Sequence, residues 1–138
     1  IGDISAVADG VHLTGDTTNI YIKENDGSAV NTKVTFTSSG SQTNTGAITA
    51  TNFILSSDET LKDKIKDIET KHVDVEWKNF ELISEPGVKR SGVVAQELEK
   101  KHPEFVRTDG EGLKSVAYID LLIAKIAELE ARLEKAGI

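Results

Sequence analysis

"LSSDETLK", residues 55–62, marks the point where this 138-residue chain changes character. Ser56 stands three residues before Glu59, the spacing of a capping box, in which the two side chains close the first turn of a helix. Read that way, the stretch predicts a helical, charged segment downstream. What precedes it has a different composition.

Residues 1–55 hold 15 Ser or Thr, two Lys (Lys23 and Lys33), and neither Arg nor Pro. Short β-like runs follow one another: "VHLTG" (11–15), "NIYIKEND" (19–26), "KVTFTSSG" (33–40) and "GAITATNFIL" (46–55). Turn dipeptides such as Asp26-Gly27 and Ser39-Gly40 separate them. Strand alternation puts Ile20 and Ile22 on one face, and Val34 and Phe36 likewise. Strands this short and thinly apolar do not bury a core alone. An exposed low-complexity tract is one reading. The other is an elongated all-β trimeric fibre segment, in which three identical chains each supply part of a narrow shared core. No tight repeat period supports a regular solenoid.

From Asp58 the pattern becomes helical and charged. "DETLKDKIKDIETKH" (58–72) spaces Leu61, Ile65 and Ile68 for one helix face. "VDVEWKNFELI" (73–83) alternates Val73, Val75 and Trp77 against Asp74, Glu76 and Lys78, which predicts a half-buried strand with Trp77 anchoring a small core. "EPGVKR" (85–90) is expected as a turn. "SGVVAQELEKKHPEF" (91–105) reads as a strand entering a helix that stops before Pro103, and "TDGEGLKSVAY" (108–118) as a turn and a short strand. This order makes residues 56–138 an α+β module.

The last helix carries a heptad seam. Ile119, Leu122, Ile126, Leu129, Leu133 and Ala136 are spaced 3, 4, 3, 4, 3. Glu128, Glu130, Arg132, Glu134 and Lys135 are expected to keep the flanks wet. A coil of fewer than three full heptads is not stable alone, so the seam predicts a clamp between copies. Ile at a and Leu at d lean toward two strands, so the seam alone does not derive a trimer.

Bulk properties exclude several classes. The net charge of −7 argues against nucleic acid and anionic membranes as partners. No apolar run approaches the length of a membrane span. Ile1 opens a polar segment with no basic start, so no signal peptide is expected, and the chain reads as cut from something longer. With no Cys, disulfides and thiolate zinc sites are excluded. His12, His72 and His102 lack ligand spacing and are expected on the surface or in loops, with no metal and no cofactor. Neither a phosphate-binding glycine loop nor a nucleophile elbow is present.

Ser57 and Lys62 remain as a candidate pair. A serine hydroxyl becomes nucleophilic when a base takes its proton, and a lysine does this only when neutral. Within one continuous helix, positions five apart point about 140° away from each other. Ser57 must therefore lie outside the helix for Lys62 to fold back onto it, unless the lysine comes from a neighbouring chain.

The whole of residues 56–138 resembles the C-terminal intramolecular chaperone auto-processing domain of phage tailspikes, tail fibres and neck appendages. "SSDETLKDKIKDI" (56–68) looks like its cleavage-site signature, a Ser-Asp followed by a Lys and an Ile. "SGVVAQELEKKHPEFV" (91–106) is similar to its most recognisable block, in Gly92, Ala95-Gln96-Glu97, Pro103, Glu104 and Val106. "DGEGLKSVAYIDLLIAKIAEL" (109–129) resembles the closing block, with Val116, Tyr118 and Leu121 leading into the coiled coil. Ala117 replaces an acidic residue frequent before the tyrosine, and Thr60 replaces an arginine common beside the lysine.

The resemblance implies a chaperone module with a C-terminal trimeric coiled-coil helix. Such a module forms a homotrimer, templates the upstream β-fibre of the same polypeptide, and is released by self-cleavage. Its catalytic Ser-Lys pair carries over to Ser57 and Lys62, and its cleavage site to the bond between Ser57 and Asp58. The seam residues Ile119, Leu122, Ile126, Leu129 and Leu133 become the trimer coiled coil. The setting it implies is a virion fibre or appendage used in host attachment, with the module released in the host cytoplasm during assembly. Ser57 Oγ cannot attack its own carbonyl, which needs a four-membered ring. Attack on the Ser56 carbonyl would instead break the preceding bond. Cutting after Ser57 requires an activated water or a serine from another chain. Two rival expectations are a trimerisation and folding module that stays attached, and a receptor-binding fibre tip.

Overall fold

The computed structural model describes residues 3–7, 10–14, 20–25 and 30–138, and the chain divides into two units, Ile1–Ser57 and Asp58–Ile138. In the first unit β1 (Asp3–Val7) pairs antiparallel with β2 (Gly10–Thr14). A second sheet takes the order β3 (Ile20–Asn25), β4 (Val30–Phe36), β5 (Gln42–Asn44), antiparallel throughout. Its register sets Ile20 opposite Phe36 and Ile22 opposite Val34. The turn between β4 and β5 forms at Ser39 and Gly40. Gly40 takes φ +84°, open to glycine at no steric cost, and its N–H donates to Thr37 O at 2.9 Å.

The turn expected at Asp26 and Gly27 lies outside the described residues, as do the side chains of His12, Ile20 and Ile22. None of the side chains described in this unit is buried. The strand expected within residues 46–55 does not form. Ile48, Phe53, Ile54 and Leu55 are exposed, and among the described residues no strand pairs with this stretch.

In the second unit a single 3₁₀ turn, Glu59–Leu61, replaces the helix expected over residues 58–72. Its cap is Asp58 rather than Ser56: the Asp58 carboxylate accepts from Thr60 N–H at 2.9 Å and Thr60 Oγ1 at 2.7 Å. Lys64 then takes φ +53°, a left-handed conformation through which no right-handed helix continues. The physical reason is burial. Leu61, Ile65 and Ile68 stay 54–69% exposed, and a short amphipathic helix with nothing to pack against is marginal.

The strand expected over residues 73–77 is irregular, and the ladder starts later. β6 (Lys78–Leu82) and β7 (Glu85–Gly92) form an antiparallel hairpin. "EPGVKR" is therefore strand, and the turn falls on Ile83 and Ser84. Trp77 is 50% exposed and anchors no core; one residue before the ladder, it sits outside the packed cluster. After β7 come α1 (Ala95–Glu99), a 3₁₀ turn (Pro103–Phe105), the hairpin of β8 (Val106–Thr108) and β9 (Lys114–Val116), and α2 (Tyr118–Lys135). Among the described residues α2 is the one long helix.

Five side chains make the core: Val73, Val93, Leu98, Val106 and Leu121, the last fully buried. Val75, Ala95, Phe105, Val116 and Ala124 pack around them. The start of α2 thus closes the unit, and Tyr118 locks it to β7. Its Oη accepts Val93 N–H at 2.9 Å, beside Gly92. A β-carbon on Gly92 would meet Tyr118 Oη directly, Cζ at 3.1 Å and Phe80 Cε1 at 3.3 Å.

Candidate functional site

Ser57 is the last residue of the first unit, in exposed chain without regular structure. Asp58 opens the second unit and caps the 3₁₀ turn. Lys62 ends that turn in extended conformation, its N–H donating to Glu59 O at 3.0 Å. Its side chain is exposed. The helix expected to carry the lysine does not form beyond the 3₁₀ turn.

The residues of the expected seam, Ile119, Leu122, Ile126, Leu129 and Leu133, are all on α2 and 44–57% exposed. Leu121, Ala124, Lys125 and Glu128 occupy a different face of the same helix, which packs on the unit's own core. At 3.6 residues per turn the two faces are roughly 130° apart. Ala136 falls beyond the helix, as its C-cap.

The best-organised polar site was not anticipated. Glu128, expected to be wet, is only 5% exposed. Its Oε2 accepts Val73 N–H at 3.0 Å and Lys125 Nζ at 2.8 Å, and its Oε1 lies 2.9 Å from His72 Nδ1. Lys125 Nζ also donates to Val73 O at 2.9 Å. Two α2 side chains therefore satisfy both main-chain groups of Val73, as a partner strand would. The Lys125 ammonium, then the Val73 amide, then His72 hold the Glu128 carboxyl down at about 2. A buried carboxylate with this many donors stays ionised and fixes its surroundings.

The next residue is tied similarly. Asp74 N–H donates to His102 Nε2 at 3.1 Å, and the Asp74 carboxylate pairs with Lys101 at 2.7 Å. Lys101 beside Asp74 holds that carboxyl below the usual carboxylate range. Both His72 and His102 belong to segments without regular structure, outside β6, β7 and α1. Among the described residues no group of three or more His, Asp or Glu is placed to hold a metal ion. No helix among them is long and apolar enough to cross a membrane.

Comparison with protein-family models, curated proteins and solved structures finds no match to this chain.

Proposed function

We propose that the chain is a self-releasing folding module joined to the end of its client. The second unit assembles as a homotrimer through the α2 seam, promotes assembly of the β segment before it, and is then cut free between Ser57 and Asp58. The observation that carries this reading is the division of labour on α2. One face closes the unit's own core through Leu121, while the heptad face, from Ile119 to Leu133, is left to water in the single chain. A contiguous exposed apolar stripe of this kind marks an association surface. Among the described side chains of the first unit none is fully buried.

The order of events follows from folding physics. Pairing between chains is non-local and slow, which leaves unpaired strands open to aggregation. A module that associates first raises the effective concentration of the attached strands. Removing it afterwards makes the product's stability kinetic, because the assembly route is gone.

In the proposed cut, neutral Lys62 Nζ takes the proton of a Ser57 hydroxyl, whose oxygen attacks the Ser57 carbonyl carbon of another copy. The bond to Asp58 breaks, the Asp58 nitrogen leaves as an amine with the proton returned by the lysine, and water then hydrolyses the ester. Ser57 and Lys62 are both exposed in the single chain, so the shielding from water that this chemistry needs comes from the neighbouring copies. The test is native mass spectrometry with a denaturing gel on freshly expressed protein. A trimer with two fragments meeting at Ser57 and Asp58 is expected. A monomer or dimer at micromolar concentration overturns the reading, and an uncut trimer reduces the module to a permanent clamp.

A further inference from the structure

Residues 71–76 form a strap without regular structure, and ionisable side chains hold its main chain at Val73 and Asp74. Glu128 and Lys125 take the N–H and C=O of Val73. His102 Nε2 takes the N–H of Asp74. The third bond is chemically different from the other two. An imidazole nitrogen accepts a hydrogen bond only while it carries no proton, so this bond requires the neutral ring with its proton on Nδ1. We propose that the strap is a pH-responsive clasp: protonation of His102 turns the acceptor of the Asp74 N–H into a donor and lets go of that side of the strap.

The surroundings give the protonated ring somewhere to go. Glu104 Oε1 lies 3.4 Å from His102 Nδ1, and the Asp74 carboxylate stands beside it, already engaged by Lys101. His102, Lys101 and Glu104 border a groove of about 590 Å³, whose other charged or titratable residues are Glu69, Lys71, His72 and Asp120. Acidic and basic groups thus face the ring together. His102 is 15% exposed.

His72 has the opposite sense. Its Nδ1 faces the Glu128 carboxylate, an acceptor that a protonated ring satisfies as well as a neutral one. Protonation of His102 therefore releases Asp74 and leaves Val73 held. The clasp opens at Asp74 only.

Residue-resolved amide hydrogen exchange on the full chain, corrected for intrinsic rates, tests this. Between about pH 8 and about pH 5 the protection of the Asp74 amide should fall about tenfold, the worth of one net hydrogen bond, while Val73 keeps its protection. Its midpoint should match the His102 titration followed by ring nitrogen shifts. His102→Gln offers an acceptor that does not titrate, so Asp74 protection should become flat with pH. Unchanged wild-type protection across the range overturns the clasp, as does an equal fall in His102→Gln. Neither result depends on whether the chain trimerises or cuts itself.

Discussion

Val73 donates its main-chain N–H to Glu128 Oε2 at 3.0 Å, across 55 residues of sequence. That bond, with Lys125 on the carbonyl of the same residue, sews the irregular strap to the helix that closes the core. A β-strand would have obtained the same satisfaction from a neighbouring strand. Here two helix side chains supply it.

The carboxyl of Glu128 is held at about 2, below its ordinary 4.5, because Lys125, the Val73 amide and His72 all favour the charged form. A depressed folded-state value contributes stability that is complete above the unfolded value and is lost as pH falls through the folded one. Wild-type chain should therefore lose urea resistance in the window from about pH 4.5 toward about pH 2. Glu128→Gln should be less stable at neutral pH and show a flatter acid limb. Parallel pH curves for the two proteins would show that the ion cluster contributes no acid sensitivity.

Gly92 is required by contact, not by its backbone angle. Its missing β-carbon leaves room for Tyr118, whose Oη accepts the Val93 amide. Gly92→Ala should push the ring away and cost about 1–3 kcal/mol, the usual range for overpacking a tight site. Denaturant unfolding measures it. Tyr118→Phe removes the hydroxyl, so the double variant should lose less than the sum of the single losses. Strict additivity would place the two residues outside one another's reach.

The last helix is legible in the sequence because its apolar spacing and its helix formers (Ala, Leu, Glu, Lys) agree. The spacing of Leu61, Ile65 and Ile68 is just as regular, yet no helix forms there. Periodicity states which face would be buried and does not supply the surface that buries it. Trp77 and Val73 sit on one alternating run, but only Val73 reaches the core. Glu128 was illegible for a different reason: its partners His72 and Val73 lie 56 and 55 residues away. One signal was present. Lys125 and Glu128 follow Leu121 at intervals of four and seven, on the core face, where a charged pair must find partners. Ser57 and Lys62 were legible as a motif only, because the helix expected to orient them does not form.

The proposed seam makes a separate prediction. Ile126→Asn with Leu129→Asn should leave the far-ultraviolet circular dichroism of the second unit intact, since Leu121 and not the seam fills its core. Association should weaken by far more than about tenfold, because each buried Ile or Leu contributes about 1.5–3 kcal/mol and every copy loses two. Analytical ultracentrifugation of both proteins decides it. An unchanged sedimentation coefficient means that the copies meet elsewhere.

The junction is tested by removing each partner of the proposed pair. Ser57→Ala deletes the hydroxyl with little change in size. Lys62→Arg keeps the charge and the long stem but cannot supply a neutral base, because a guanidinium stays protonated. Neither residue belongs to the core or to the seam, so both variants should associate like wild type. Each should remain one chain of 14.9 kDa on a denaturing gel, while wild type gives pieces ending at Ser57 and beginning at Asp58. Mixing the two variants before assembly adds a sharper arm: if the lysine of one copy activates the serine of another, mixed oligomers should recover some cutting. Cutting in Ser57→Ala at the wild-type rate would leave the serine with no chemical part. Cutting lost in the seam variant and kept in wild type would tie the reaction to assembly, since only assembly shields a pair that the single chain leaves exposed.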